Sequence, residues 1–157
     1  MNTATIWTAI TAATAISIAA IISAGPLAAS TTPATTAAAT PGATLSVQFT
    51  GIETPKGKIM MALFDSEAAF NGGRSVRAVM IAADSADATA LVEKLPVGRY
   101  AIKSFHDIDG DGKMAKNLFG MPIEPYAFSN NAAGPASWAD ASFAVTAGAN
   151  AHRIAIK

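Results

Sequence analysis

Three aspartates spaced two residues apart form the segment of the sequence best suited to chemistry. Asp107, Asp109 and Asp111 are followed directly by Gly112. In calcium loops of the EF-hand type, carboxylates with this spacing bind the ion, and a glycine in this position allows the chain to turn sharply around it. Oxygen ligands suit Ca²⁺ or Mg²⁺ better than softer metals. The spacing therefore predicts a weak divalent-cation site, with Ca²⁺ as the candidate cofactor.

The remainder of the loop departs from the EF-hand pattern. If Asp107 is the first position, the ninth is Ala115 and the twelfth is Leu118, so the bidentate glutamate is missing. Glu124 is the nearest later acid, but nothing in its spacing requires it to fold back. The alternative is a solvated turn between strands, which aspartate and glycine form without an ion.

Further candidates surround the aspartates. His106 could act as an acid, a base or a metal ligand, or it could simply be packed against the fold. An aromatic residue followed by a hydroxyl and two amides is a common sugar-binding combination, although the same residues form tight turns. The candidate ligand-binding residues are His106, Glu124, Tyr126, Ser129, Asn130 and Asn131.

The composition excludes several classes of protein. The 157 residues carry 11 basic and 11 acidic side chains and no cysteine. A formal net charge of zero argues against a nucleic-acid binder that neutralises phosphates. The absence of cysteine excludes disulfides, thiolate metal sites and a cysteine nucleophile. With two histidines, a three-histidine zinc site is impossible.

The first 50 residues contain no charged side chain. An apolar run over 6–24, a Gly-Pro turn and small residues predict a signal peptide over 1–29. An uncleaved membrane anchor is the alternative. Residues 30–42 have the Thr/Ala/Pro composition of a linker, which leaves 43–157 as the folded domain. The protein is therefore expected to be exported to the periplasm or secreted.

The folded part is predicted to be all-β. About seven short segments have strand periodicity, turn signals separate them, and no long amphipathic helix occurs. This pattern predicts an antiparallel Greek-key sandwich, with a small closed barrel as the alternative. The last two strands are expected to form a hairpin through 147–150. Met60, Met61 and Met80 are assigned to the core.

One long connection, roughly 107–140, interrupts the strands. Since it contains leucine, phenylalanine, tyrosine and tryptophan, we expect an ordered loop that its own apolar residues pack onto the sandwich. A functional site is expected in this loop.

Three stretches resemble the DUF2141 family of exported bacterial proteins of unknown function: 95–101 (LPVGRYA), 106–113 (HDIDGDGK) and 117–131 (NLFGMPIEPYAFSNN). The strand over 57–64 and the closing strand at Phe143 also lie where that family has them, so the resemblance covers 43–157. It implies a transthyretin-like or immunoglobulin-like sandwich and supplies no catalytic residues. At Ala115 the family commonly has aspartate, so the resemblance implies weaker metal binding here.

These observations together predict a non-enzymatic binding or structural module. Its partner is expected to be a small molecule, a sugar or an envelope protein, and not a nucleic acid; a membrane partner follows only if the N-terminal segment stays uncleaved. The alternatives are a carbohydrate- or peptide-binding module without metal, and a hydrolase that uses His106 and nearby acids.

Overall fold

The computed structural model describes residues 42–157. The predicted signal peptide and nearly all of the predicted linker lie outside them. No helix among the described residues is long and apolar enough to cross a membrane. The elements in chain order are β1 (Ala43–Thr50), β2 (Lys58–Phe64), α1 (Glu67–Gly72), β3 (Arg77–Ala82), β4 (Asp87–Leu95), β5 (Gly98–Asp107), β6 (Tyr126–Phe128), a 3₁₀ turn (Ser129–Asn131), α2 (Trp138–Ala141), β7 (Phe143–Val145) and β8 (Ala149–Ala155).

The strands form two sheets. One sheet has the order β4-β1-β8, and the other has the order β3-β2-β5-β6. Strand β7 also pairs with β5, at residues 98–100, whereas β6 pairs with it at residues 103–105. The residues of β1 alternate strictly between buried and half-buried positions, which is the pattern that the period of two in the sequence predicts. The all-β prediction is confirmed.

Both sheets contribute to one apolar core. From β1 come Leu45, Val47 and Phe49, and from the facing sheet come residues such as Ile59 and Ile102, all at most 1% exposed. Burying these side chains is the main stabilising contribution, at about 1.5–3 kcal/mol for each large one.

A second cluster covers part of the outer face of the five-stranded sheet. Phe70 of α1 packs edge-on against Phe64, with ring centroids 5.5 Å apart, and against Trp138 of α2 at 6.1 Å. Ser66 caps the start of α1, since its hydroxyl accepts a hydrogen bond from the Ala69 amide. The helices therefore cover one end of this face.

Two features of the predicted topology are wrong. Strand β8 pairs with β1 in parallel, whereas the sandwich was expected to be purely antiparallel. The expected closing hairpin is absent among the described strands, because β7 pairs with β5 and β8 lies in the other sheet. The Ala-Gly-Ala-Asn segment therefore crosses between sheets, which turn composition alone does not distinguish from a hairpin.

The long connection and the core methionines also need correction. The stretch expected to be irregular contains β6, the 3₁₀ turn and α2, so the true loop is 108–125 between β5 and β6. In β3, Val79 and Ile81 face the core, and Met80 is 65% exposed. Met61 is buried as expected, whereas Met60 is only half-buried.

Candidate functional site

The β5–β6 loop begins where β5 ends against the turn before β2. Asp107 is the last residue of β5, pairs with Lys58, and is 1% exposed. Gly57 has a φ of 74°, and a Cβ there would overlap the carbonyl oxygen of Asp107. Only glycine suits this close approach and positive φ, so the turn fixes the position of the aspartate.

Two buried carboxylates hold the base of the loop by binding backbone amides. Asp107 accepts hydrogen bonds from the amides of Gly110 (2.8 Å) and Gly112 (3.0 Å), one on each oxygen. Glu124, 8% exposed, accepts from the amides of Ile108 (3.0 Å) and Ala115 (2.9 Å). Charge-assisted bonds of this kind are stronger than neutral ones. They fix the path of the loop at its base.

The same fold-back creates a cluster of three carboxylates. One oxygen from each of Asp107, Asp109 and Glu124 lies within 4.8 Å of the other two. Two oxygens on one calcium ion lie at most about 5 Å apart, because Ca–O distances are about 2.3–2.6 Å. The structure thus brings together two of the three aspartates predicted as metal ligands, with Glu124 in place of the third.

Asp111 stands apart from that cluster. Its side chain is exposed, and its Oδ1 accepts a hydrogen bond from the Lys113 amide at 2.7 Å. This arrangement is a local turn of the kind that aspartate forms without an ion. Asp109 forms the same kind of turn, because its Oδ1 accepts from the Asp111 amide at 3.1 Å, so only its place in the cluster distinguishes it from Asp111. The two-residue spacing located the loop but could not show which of the aspartates converge.

His106 is packed at the start of the loop. It is 1% exposed, and its Nε2 lies 2.7 Å from the carbonyl oxygen of Lys56, to which it must donate. Its amide donates to the carbonyl oxygen of Pro125 and so helps to close the loop. This geometry supports the packed alternative, because a nitrogen that donates to a carbonyl cannot serve as a base.

The predicted ligand-binding residues after β6 make internal hydrogen bonds. Ser129 is fully buried; its hydroxyl accepts from the Ile102 amide and donates to the Ala141 carbonyl. Asn130 donates to the carbonyl oxygens of Asp140 and Ser142. The Asn131 side chain accepts from the Ala155 amide. These contacts support the tight-turn alternative.

His152 lies beside that turn. Its ring stacks on Phe143 with centroids 4.1 Å apart, and its Nε2 accepts a hydrogen bond from the Asn130 amide. Burial lowers the pKa of His152 from 6.5. The neutral ring is therefore the form that this contact requires, since a protonated nitrogen cannot accept.

An apolar groove of about 350 Å³ lies on the outer face of the five-stranded sheet, next to the loop. Lys103 is the one charged residue in its lining. The Lys103 ammonium donates to the Phe70 carbonyl at 2.7 Å and lies 4.0 Å from the centre of the Phe70 ring. Burial lowers the pKa of Lys103. The side chains that shape the groove include Met60, Met80, Phe105, Met114, Tyr126 and Phe128.

The loop ends in a small hairpin over 115–123, which we call the tip hairpin. Lys116 and Pro122 form an isolated bridge, and the Ile123 amide donates to the Ala115 carbonyl. The expectation that the loop's apolar residues pack it onto the sandwich is wrong here, because four of them are exposed. These are Leu118, Phe119, Met121 and Ile123.

Sequence reasoning named Glu124 as a candidate that could fold back but had no means to place it in the cluster, and it missed the exposure of this tip. The hydrogen bonds of Glu124 link residues nine and sixteen positions away, so no local spacing reports them. An Asn-Leu-Phe-Gly-Met segment can equally be packed or exposed, because composition does not specify what covers it.

Comparison with known proteins matches the chain to one family. The family model described as "Uncharacterized protein conserved in bacteria (DUF2141)" matches residues 47–153. No curated protein and no solved structure gives a significant match. The match includes the whole β5–β6 loop and its carboxylate cluster, and the chain belongs to the DUF2141 family.

Proposed function

We propose that this chain is an exported, non-enzymatic binding module whose β5–β6 loop holds a divalent cation, with Ca²⁺ as the preferred ion. The observation that carries the proposal is the convergence of Asp107, Asp109 and Glu124, two of them buried, within 4.8 Å. A buried carboxylate is costly unless it is paired or coordinated, and a divalent ion removes the repulsion among three.

Each buried carboxylate already accepts two amide hydrogen bonds and retains further lone pairs. A carboxylate has about four acceptor positions, so Asp107 and Glu124 can each coordinate an ion without losing a bond to the loop. The bonds also pre-order the cluster before the ion binds. With three carboxylates, and Ala115 in place of an acid at the ninth position, we expect a dissociation constant on the order of 10⁻⁴–10⁻³ M.

Calorimetry and thermal unfolding of the full chain in Ca²⁺ test the proposal. The Asp109→Asn variant should lose most of the heat of binding and the Ca²⁺-dependent rise in Tm. Asp111→Asn is the matched control, because it makes the same charge change in the same loop at a residue outside the cluster. Equal losses in the two variants, or no response to millimolar Ca²⁺ in the parent chain, would contradict the site.

A metal-free peptide-binding module is the second candidate, and the apolar groove favours it. A groove lined by methionine and aromatic side chains suits apolar peptide side chains better than sugar hydroxyls, which need polar partners. Titration with extended apolar peptides discriminates the two candidates. Binding that survives chelation and is lost in Met80→Glu would favour the groove, whereas binding that requires Ca²⁺ would favour the loop.

A further inference from the structure

We propose that the tip hairpin inserts its apolar side chains into the boundary between headgroups and acyl chains of an anionic phospholipid bilayer. The inference deepens the proposed function, because it rests on the β5–β6 loop as the binding surface and names its partner. It does not require the cation to be bound.

The first observation is the degree of exposure at the tip. Leu118 is 102% exposed and Phe119 is 90% exposed, about as much as in an isolated peptide, and Met121 and Ile123 are 63% and 65% exposed. Isolated apolar side chains on a surface are ordinary, but four within six residues form a contiguous patch of the kind that contacts a partner. Because these side chains lie at the end of a hairpin and are exposed almost completely, they suit insertion into a soft surface better than capture of a ligand.

The second observation is that the hairpin binds its own backbone amides. The Asn117 side-chain oxygen accepts from the amides of Phe119 (2.9 Å) and Met121 (3.0 Å). The Asn117 amide donates to the Met121 carbonyl, and the Gly120 amide donates to the Asn117 carbonyl. Backbone groups that enter an apolar medium must be satisfied internally. Five amides of the hairpin are satisfied in this way, those of Asn117, Phe119, Gly120, Met121 and Ile123. A strand-pairing protein partner would instead require a row of free amides along an edge, so this pattern favours lipid.

The third observation is the charge at the base of the hairpin. Lys113 and Lys116 are exposed and lie just before the tip, where long cationic side chains can reach lipid phosphates while the tip is inserted. Asp109 and Asp111 oppose this attraction from the same loop. A cation on the carboxylate cluster would reduce that opposition, so Ca²⁺ should strengthen the attachment where it binds.

Tryptophan fluorescence in the full chain tests the insertion. Phe119→Trp places a reporter at the tip, and Leu91→Trp places one at a 58% exposed leucine of β4 as the matched control. Subtracting the emission spectrum of the parent chain removes the signal of the native residues Trp7 and Trp138. Each protein is mixed with phosphatidylcholine/phosphatidylglycerol vesicles whose acyl chains carry bromine. Residues 1–41 are the same in both variants, so any anchoring by them does not separate the two.

We expect the Phe119→Trp emission to shift to shorter wavelength and to be quenched by the brominated lipid, with Leu91→Trp unchanged. Replacing both Lys113 and Lys116 by glutamine should weaken partition into these vesicles by about thirtyfold, since each basic residue near an anionic surface contributes about 1 kcal/mol. An unquenched tip reporter, with and without Ca²⁺, overturns the inference. If calorimetry still shows Ca²⁺ binding, the cation site stands and only the bilayer partner is wrong.

Discussion

At the base of the β5–β6 loop the buried side chains are carboxylates, whereas at its tip the exposed side chains are leucine, phenylalanine, methionine and isoleucine. The base is stabilised by hydrogen bonds from backbone amides to Asp107 and Glu124. The tip is stabilised in the same way by Asn117. Polar side chains thus give the loop its order, whereas the four apolar side chains of the tip stay exposed. Variants at the base and at the tip separate the role of the polar side chains from the one proposed for the apolar side chains.

The largest loss in the free energy of unfolding is expected at the base of the loop. Asp107→Ala removes the buried carboxylate that accepts from the amides of Gly110 and Gly112, and a hydrogen bond to a charged group contributes about 1.5–3 kcal/mol. Water can replace part of this contribution, because the two glycines are exposed. We expect the free energy of unfolding to fall by about 3 kcal/mol in urea denaturation with a chelator present. Asp111→Ala, at an exposed turn, should change it by less than about 0.5 kcal/mol. Similar values for the two variants would remove the distinction between clustered and turn-forming aspartates.

Glu124→Gln tests the other half of the base with a smaller change. The amide keeps one acceptor oxygen but sets its own N–H₂ against the amide of Ile108 or Ala115. A loss of about 1–2 kcal/mol is expected in the same denaturation experiment. Amide exchange should also speed up at Ile108 and Ala115. If their protection is unchanged, Glu124 does not close the loop.

His152, which lies outside the loop, should make the free energy of unfolding depend on pH. Burial lowers the pKa of His152 in the folded state from 6.5. The unfolded chain therefore binds a proton at His152 at a higher pH than the folded chain does. The contribution of the neutral ring to the free energy of unfolding should be fully present above about pH 6.5, and it should decline as the pH falls through and below that value. In urea denaturation at a series of pH values, His152→Gln should remove this decline in the free energy of unfolding. Because the ring is only half-buried, we expect a smaller effect than that of Glu124→Gln.

Asn117→Ala should loosen the tip and leave the base intact. It removes the acceptor for the amides of Phe119 and Met121. Since the hairpin is exposed, the released amides bind water, and the expected loss of stability is below about 1 kcal/mol. Hydrogen exchange should accelerate at Phe119 and Met121 but not at Gly110. Faster exchange throughout the loop would instead show that base and tip are one cooperative unit.

The sequence predicted the all-β class and the place of the loop because both follow from local periodicity and turn signals. It failed where contacts are distant in the chain. The parallel pairing of β8 with β1 joins residues more than 100 positions apart, and no turn signal encodes it. Met80 has strand periodicity but lies on the outer face, since alternation does not specify which face is covered.

The candidate site was predicted in the same uneven way. Asp107 and Asp109 were identified from spacing alone, whereas the third member of the cluster is Glu124, which reaches them through the return of the loop into β6. His106 and Ser129 were candidates because of their chemistry, yet their hydrogen bonds are to main-chain groups of the fold. Residue type indicates possible chemistry, but only the path of the chain determines whether a polar group is available to a ligand.

The smallest effect on stability is expected at the tip itself. The double variant Leu118→Ser, Phe119→Ser removes two large side chains that contact little in the folded chain, so the free energy of unfolding should change by less than about 0.5 kcal/mol. The same variant should reduce partition into phosphatidylglycerol-containing vesicles, because burial of each such side chain contributes up to about 1.5–3 kcal/mol. Leu91→Ser is the control in both measurements. A tip variant that unfolds easily would mean that the hairpin packs against the fold, whereas a stable variant that loses vesicle binding would show that its apolar residues serve a partner.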